Sequence, residues 1–161
     1  MEIADLDEKD IFQLIDLIKE TYNENRLYMW FDGEPYFDML YSLFNTKINF
    51  LKAGKGIDKV AREEGKAVGE CEVIKISNDD AKIGIIVGKD YRKHGTGKML
   101  VEAALKDAKK IGVKTVIAEV AEENPNALMF FVKNGFVESG RSGIIEKEDG
   151  KHKVIELRLD I

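Results

Sequence analysis

The sequence holds one cysteine, two prolines, two histidines and a single glutamine, Gln13, in 161 residues. One cysteine, Cys71, excludes an intramolecular disulfide and any multi-cysteine zinc site. With only His94 and His152 beside it, no metal cage is expected. There is no run of 18 apolar residues, so no segment is expected to span a membrane. The N-terminus, Met1-Glu2-Ile3-Ala4-Asp5, is acidic and lacks a signal-peptide core. These absences predict a reduced, cytoplasmic protein without a membrane partner. Low-complexity segments, internal repeats and linkers are also missing, so residues 1–161 read as a single domain. A chain of this length buries about two-thirds of its unfolded surface and needs no covalent staple. A homodimer is compatible with the sequence.

Charge is abundant, at 34% of residues, and its sum is −5. An acidic sum argues against a nucleic-acid partner. The sum conceals an asymmetry. Residues 82–114 hold nine Lys/Arg and three acids, whereas the remainder holds 16 bases and 27 acids. A basic island in an acidic chain suits a small anionic ligand, although a solvated lysine-rich helix would also produce it.

Hydrophobic spacing predicts the order β-α-α-β-β-β-α-β-α-β-β. Ile3–Asp5 reads as a strand. Asp7 caps a helix carrying Ile11, Leu14, Ile15 and Ile18, and Pro35 opens a second with Phe37, Leu40, Tyr41, Phe44 and Ile48. Gly54 and Gly56 close that helix. Alternation of period two marks Lys59–Glu63, Lys66–Ile76 and Lys82–Val87 as strands. A helix with Leu100, Ala104 and Ala108 ends at Gly112, and Thr115–Val120 is the next strand. Asn124-Pro125 starts a short helix to Lys133. Val137–Ile145 and Val154–Ile161 form a hairpin about Asp149-Gly150. The expected fold is α/β: one mixed, mainly antiparallel sheet of about seven strands, with helices on both faces and one βαβ crossover.

The chemistry concentrates where the Lys82–Val87 strand meets a helix through Arg92-Lys93-His94-Gly95-Thr96-Gly97. Glycines let a backbone approach a ligand, and the first turn of a helix offers free N–H groups and the positive end of its dipole. A phosphate fits such a turn. Two nucleotide motifs fail on spacing. A P-loop needs glycine where Arg92 stands and Ser or Thr where Met99 stands; a dinucleotide fingerprint needs glycine where Leu100 stands. An ordinary strand-to-helix turn with two glycines remains open on these residues alone. So does a variant dinucleotide loop with Glu119, 22 residues beyond Gly97, as the ribose-binding acid.

Val87 to Gly97 resembles the acetyl-CoA signature of the GNAT superfamily of N-acetyltransferases, Arg/Gln-x-x-Gly-x-Gly/Ala opening a helix after a strand. A second block, Glu119-Val120 followed by Asn124-x-x-Ala127-x-x-x-Phe131-x-Lys133-x-Gly135-Phe136, is similar to that family's next conserved segment. The resemblance covers about residues 82–137. It implies acetyl-CoA as donor and a primary amine, in a small molecule or at a protein N-terminus, as acceptor. By the same resemblance, backbone groups of Ile85, Ile86 and Val87 meet the pantetheine arm on a strand splayed from its neighbour. Amides of Lys93, His94, Gly95, Thr96, Gly97 and Lys98 hold the pyrophosphate, with charge from Arg92 and Lys93. Asn124 bonds the cofactor arm, besides capping its helix. Glu119 is the general base, where a plain strand-end carboxylate is the other reading; Glu70 and Glu72, on one face of the preceding strand, are weaker choices. Phe131 occupies the cofactor-side position where most relatives carry an acidic tyrosine. Phenylalanine has no proton to give, but a thiol of pKa near 8.5 can depart without full protonation. A non-catalytic acyl-CoA sensor is the rival that Phe131 suggests. Cys71, in an alternating strand, reads as a small buried hydrophobe rather than an acyl carrier. Tyr28, Trp30 and Phe31 are expected on the acceptor side.

Overall fold

The computed structural model describes residues 1–25, 31 and 33–161. Tyr28 and Trp30 lie outside the described residues. The element order is β1 (Glu2–Asp5), α1 (Ile11–Glu24), α2 (Phe37–Lys52), β2 (Gly56–Glu63), β3 (Lys66–Lys75), β4 (Asp80–Val87), α3 (Thr96–Lys110), β5 (Thr115–Ala121), α4 (Pro125–Lys133), β6 (Val137–Lys147) and β7 (Gly150–Asp160). The strands form one sheet in the order β1-β2-β3-β4-β5-β7-β6. Every neighbouring pair is antiparallel except β4 and β5. This is the mixed seven-stranded sheet that the periodicity predicts.

Alternation along the strands divides the sheet into two faces with different chemistry. On one face Ala61, Cys71, Val73, Ala81, Ile83, Val116, Ala118, Val120 and Leu157 meet the apolar stripe of α3 and the aromatic end of α4. Cys71 is fully buried there as a small apolar group. On the other face Val60, Ala67 and Ile86 pack under Ile11, Leu14, Ile15 and Ile18 of α1 and under Leu40 and Phe44 of α2, with Phe31 partly buried alongside. This second core is smaller, and the rest of that face carries charge.

Local differences from the spacing have physical causes. Asp7 caps a single 3₁₀ turn, Glu8–Asp10, in a reciprocal capping box with Asp10, and α1 follows it. Gly56 begins β2 instead of closing α2, and a Cβ there would press on Ile74 Cδ1 at 2.7 Å. Phe37 and Tyr41 of α2 turn outward and stack with Phe12, at centroid distances of 5.7 and 6.1 Å. Among the described residues, no helix is long and apolar enough to cross a membrane.

Candidate active site

Strands β4 and β5 pair only at Asp80–Thr115, Ala81–Val116 and Lys82–Ile117. Beyond these residues the two strands separate. β4 stays bonded to β3 as far as Val87, and β5 stays bonded to β7 as far as Ala121. Each strand is therefore held along its outer edge and open along its inner edge. Ile85, Ile86 and Val87 line one side of the opening and Glu119 the other. The inner-edge N–H and C=O groups are left to a ligand, as an edge strand leaves them to an added strand.

The glycine turn closes one end of this opening. Gly88 N–H donates to Val68 C=O at 2.8 Å, which fixes where β4 ends. Lys93 (φ +62°) and Gly95 (φ +87°) both adopt left-handed backbone, and Gly95 is the N-cap of α3. Nothing lies within 4 Å of a Cβ built on Gly95, so its glycine serves the backbone angle. Gly97 serves packing instead: its Cβ would stand 2.9 Å from Phe130 Cε2. The first intrahelical bond runs from Met99 N–H to Gly95 C=O at 3.0 Å. The N–H groups of Thr96, Gly97 and Lys98 thus have no helical acceptor and sit at the positive end of the helix dipole. Lys93, His94 and Lys98 are exposed around them, while Thr96 is buried.

Arg92 is held on two sides by the protein itself. Its Nε donates to Val87 C=O at 2.8 Å and its Nη1 to Glu24 Oε2 at 2.7 Å. The hydrogen bond from Arg92, opposed by partial burial, holds the Glu24 carboxyl below its ordinary range. Arg92 is a strut between the end of β4 and α1. Beside it lies a cavity of about 350 Å³ lined by Leu17, Thr21, Glu24, Lys89 and Arg92 among others.

Asn124 caps α4 by accepting from Ala127 N–H at 3.3 Å, and Pro125 follows at the first helical position. Phe131 is 5% exposed. Its ring meets Phe130 and Phe136 edge-on, at centroid distances of 5.4 and 5.1 Å, so it belongs to the core behind the opening. The Glu119 side chain is 37% exposed, and its Oε1 lies 2.5 Å from the Nζ of Lys82.

The charged face holds a group that sequence spacing only half reveals. Lys47 of α2 reaches the sheet and places Nζ 2.5 Å from Glu70 Oε1, 2.8 Å from Glu72 Oε2 and 2.9 Å from Asp58 Oδ2. Burial alone would lower the lysine pKa; Glu70, Asp58 and Glu72 outweigh it and hold the ammonium well above its ordinary value. Burial and then Glu70 push the Asp58 carboxyl well above the carboxylate range, against the pull of Lys47. The Glu70 and Glu72 pair is visible as a period-two couplet. Lys47 and Asp58 carry one faint signal each: a lysine three residues after Phe44 in an apolar helical stripe, and an acid two residues before the buried Val60.

The chain matches the acetyltransferase (GNAT) family over residues 13–136. It is 30% identical to the spermidine N(1)-acetyltransferase of Vibrio cholerae over 123 residues, covering 73% of this chain and 69% of that one. A Bacillus subtilis protein named as a candidate phosphinothricin acetyltransferase is 32% identical over 74 residues, 46% of this chain and 45% of its own length. The crystal structure of a ribosomal-protein-alanine N-acetyltransferase from Brucella melitensis superposes with a TM-score of 0.86 over the whole of both chains, at 19% identity. That last likeness speaks for the fold. The family match, with the antiparallel order, sets aside the variant dinucleotide loop. With its open β4–β5 edge and glycine turn, the chain belongs to the GNAT acetyltransferase family and is an N-acetyltransferase that takes its acetyl group from acetyl-CoA.

Proposed function

We propose that residues 1–161 act as one cytoplasmic N-acetyltransferase domain in which the primary amine of a small cationic acceptor attacks the thioester directly. The carrying observation is the separation of β4 from β5 after Lys82 and Ile117, opening onto three free helix N–H groups. The residues fit acetyl-CoA. Thr96, Gly97 and Lys98 N–H groups suit a pyrophosphate, with Lys93 and His94 beside them. The open edge of Ile85–Val87 suits an amide-bearing arm and supplies N–H donors for the thioester oxygen. Asn124 stands at the far side of the opening, and Phe131 backs it as apolar packing. When bound, acetyl-CoA supplies an activated acyl carbon.

An alkylamine is protonated at neutral pH, with an ordinary pKa near 10.4, and must lose a proton to become a nucleophile. Glu119 receives that proton, directly or through a water. Its position beside the exposed Lys82 ammonium supports the role: a primary ammonium already rests against this carboxylate. The thiolate departs unaided by Phe131. A small acceptor is supported by the spermidine acetyltransferase among the relatives and by the charged sheet face beside Glu119.

Calorimetric titration with acetyl-CoA, coenzyme A, NAD and ATP tests the first half of this reading, with binding expected for the first two only. Mass spectrometry of a panel of small amines and N-terminal peptides, incubated with enzyme and acetyl-CoA, tests the second. Acetylation confined to peptides would overturn the small-amine acceptor. Failure of acetyl-CoA and coenzyme A to bind the folded protein would overturn the site.

A further inference from the structure

The Lys47 cluster lies on the same face of the sheet as Glu119, and in it three carboxyl groups, those of Asp58, Glu70 and Glu72, share one ammonium. Asp58 is wholly buried, and neither of its oxygens has a hydrogen-bond partner among the described residues; its one ionic contact is Lys47. Glu70 is also buried, with 7% of its side chain exposed, and is bound closely to Lys47. Glu72 is the open member, at 39%. Of the three carboxyl groups, only that of Glu72 is open to an incoming cation.

Glu72 faces the opening. It pairs with Gly84 across β3 and β4, and a Cβ built on Gly84 would lie 3.3 Å from Glu72 Oε1. Glycine inside a strand weakens it and often marks a place where another group comes close. Here the missing side chain lets the Glu72 carboxylate lie over β4, toward its parted edge. Lys82, two residues before Gly84 and so on the same face, reaches Glu119. Glu72 and Glu119 therefore stand on one face of the sheet, on either side of Gly84. One is anchored through Oε2 by Lys47, and the other is where the reacting amine is placed above. They sit two strands apart with the parted β4–β5 edge between them, so their separation exceeds the roughly 10 Å that two ordinary strand spacings would give.

Two carboxylates at that separation suit a short methylene chain with an amine at each end. We propose that Glu72 is an acceptor-binding residue that holds a second ammonium group, so that α,ω-diamines and longer polyamines are preferred to monoamines of equal carbon count. This rests on the acetyl-transfer reading and on Glu119 as the reactive end. Lys47 is a positioning residue that fixes Glu72 from behind and keeps the buried carboxylates from repelling one another.

The test compares 1,5-diaminopentane with pentylamine on the parent enzyme and on Glu72→Gln. Binding to the coenzyme A complex is measured by calorimetry, and KM and kcat are measured with acetyl-CoA. The parent should bind the diamine more tightly. Glu72→Gln should weaken diamine binding and raise its KM by about tenfold, the worth of one charged hydrogen bond. The loss should fall on the diamine's KM more than on its kcat, and pentylamine, which has no second ammonium to hold, should be affected far less. A structural role would shift both amines together, as would a change in melting temperature. Equal affinity of the parent for the two amines, or an equal loss for both in Glu72→Gln, would overturn the proposal. The calorimetric arm needs no turnover: if the diamine preference and its Glu72 dependence hold while no amine is acetylated, the acetyl-transfer reading fails and the ammonium site stands.

Discussion

The two halves of the proposed site are built on opposite plans. The cofactor half is contiguous: residues 85–98 supply a strand edge, a left-handed turn and a helix start, and its chemistry is mostly backbone. The acceptor half is assembled from α2, β2, β3, β4 and β5, and its chemistry is all side chain. A backbone site tolerates many side chains but few changes of glycine. A side-chain site depends on individual carboxylates, and each can be removed without touching the fold of the other half. The two halves should therefore fail separately.

Glu119→Gln gives the sharpest separation. Turnover at neutral pH should fall by about 10²–10⁴, the usual worth of a general base. Affinity for acetyl-CoA should stay within about twofold, as independent sites require. Steady-state kinetics beside calorimetry checks both, and a parallel loss of cofactor affinity would join the halves again. Lys47→Met should act on stability. It leaves buried carboxylates uncompensated, and loss of one partner of a buried ion pair costs about 3–5 kcal/mol in urea unfolding. Asp58→Asn in the same chain should recover part of that loss, because one acid fewer then lacks a cation. On the cofactor side, Gly97→Ala presses a methyl group toward Phe130. Overpacking of this kind costs about 1–3 kcal/mol. Acetyl-CoA affinity should weaken with it, while amine KM holds.

The smallest effect lies where β7 meets the turn before α4. His152 Nε2 lies 2.8 Å from Asp149 Oδ1, and its Nδ1 lies 3.0 Å from Glu123 Oε1. Asp149 first and Glu123 second raise the imidazole pKa above its ordinary 6.5. A histidine raised in the folded state stabilises it in full below the unfolded value, and that contribution is lost as pH rises through the folded value. His152→Asn should therefore melt below the parent at pH 6, with the gap closing at alkaline pH. A constant gap would show that the ring acts by packing.

The same division explains what the sequence discloses. The glycine turn is legible because Arg92, Gly95 and Gly97 are spaced along one segment, and helix starts are local events. Element order is legible because apolar spacing changes period between α2 and β2 and again at Thr96, although the start of β2 at Gly56 lies three residues before the Lys59 that the alternation marks. The contact of Arg92 with Glu24 is not, because the two residues are 68 apart in the sequence. Lys47 and Asp58 are hidden for the same reason: each is an ordinary charged residue until α2 lies across β2 and β3. Phe131 illustrates a third case, in which its position in the motif is readable but the direction of its ring, toward Phe136, depends on how α4 packs.

Three residue pairs join β4 to β5. The sheet is accordingly two half-sheets, β1 to β4 and β5 to β7-β6, that share a short seam. A ligand lying along both inner edges would act as the absent eighth strand and carry the ladder across. Acetyl-CoA would then be a component of the fold during each catalytic cycle as well as a reactant. At a hundred times its dissociation constant, such a ligand adds about 2.7 kcal/mol to the stability of the chain. Amide exchange along Ile83–Val87 and Ala118–Ala121 should slow on binding and recover when coenzyme A leaves, so the protein would be most rigid when it is loaded and loosest when it must exchange one substrate for the next.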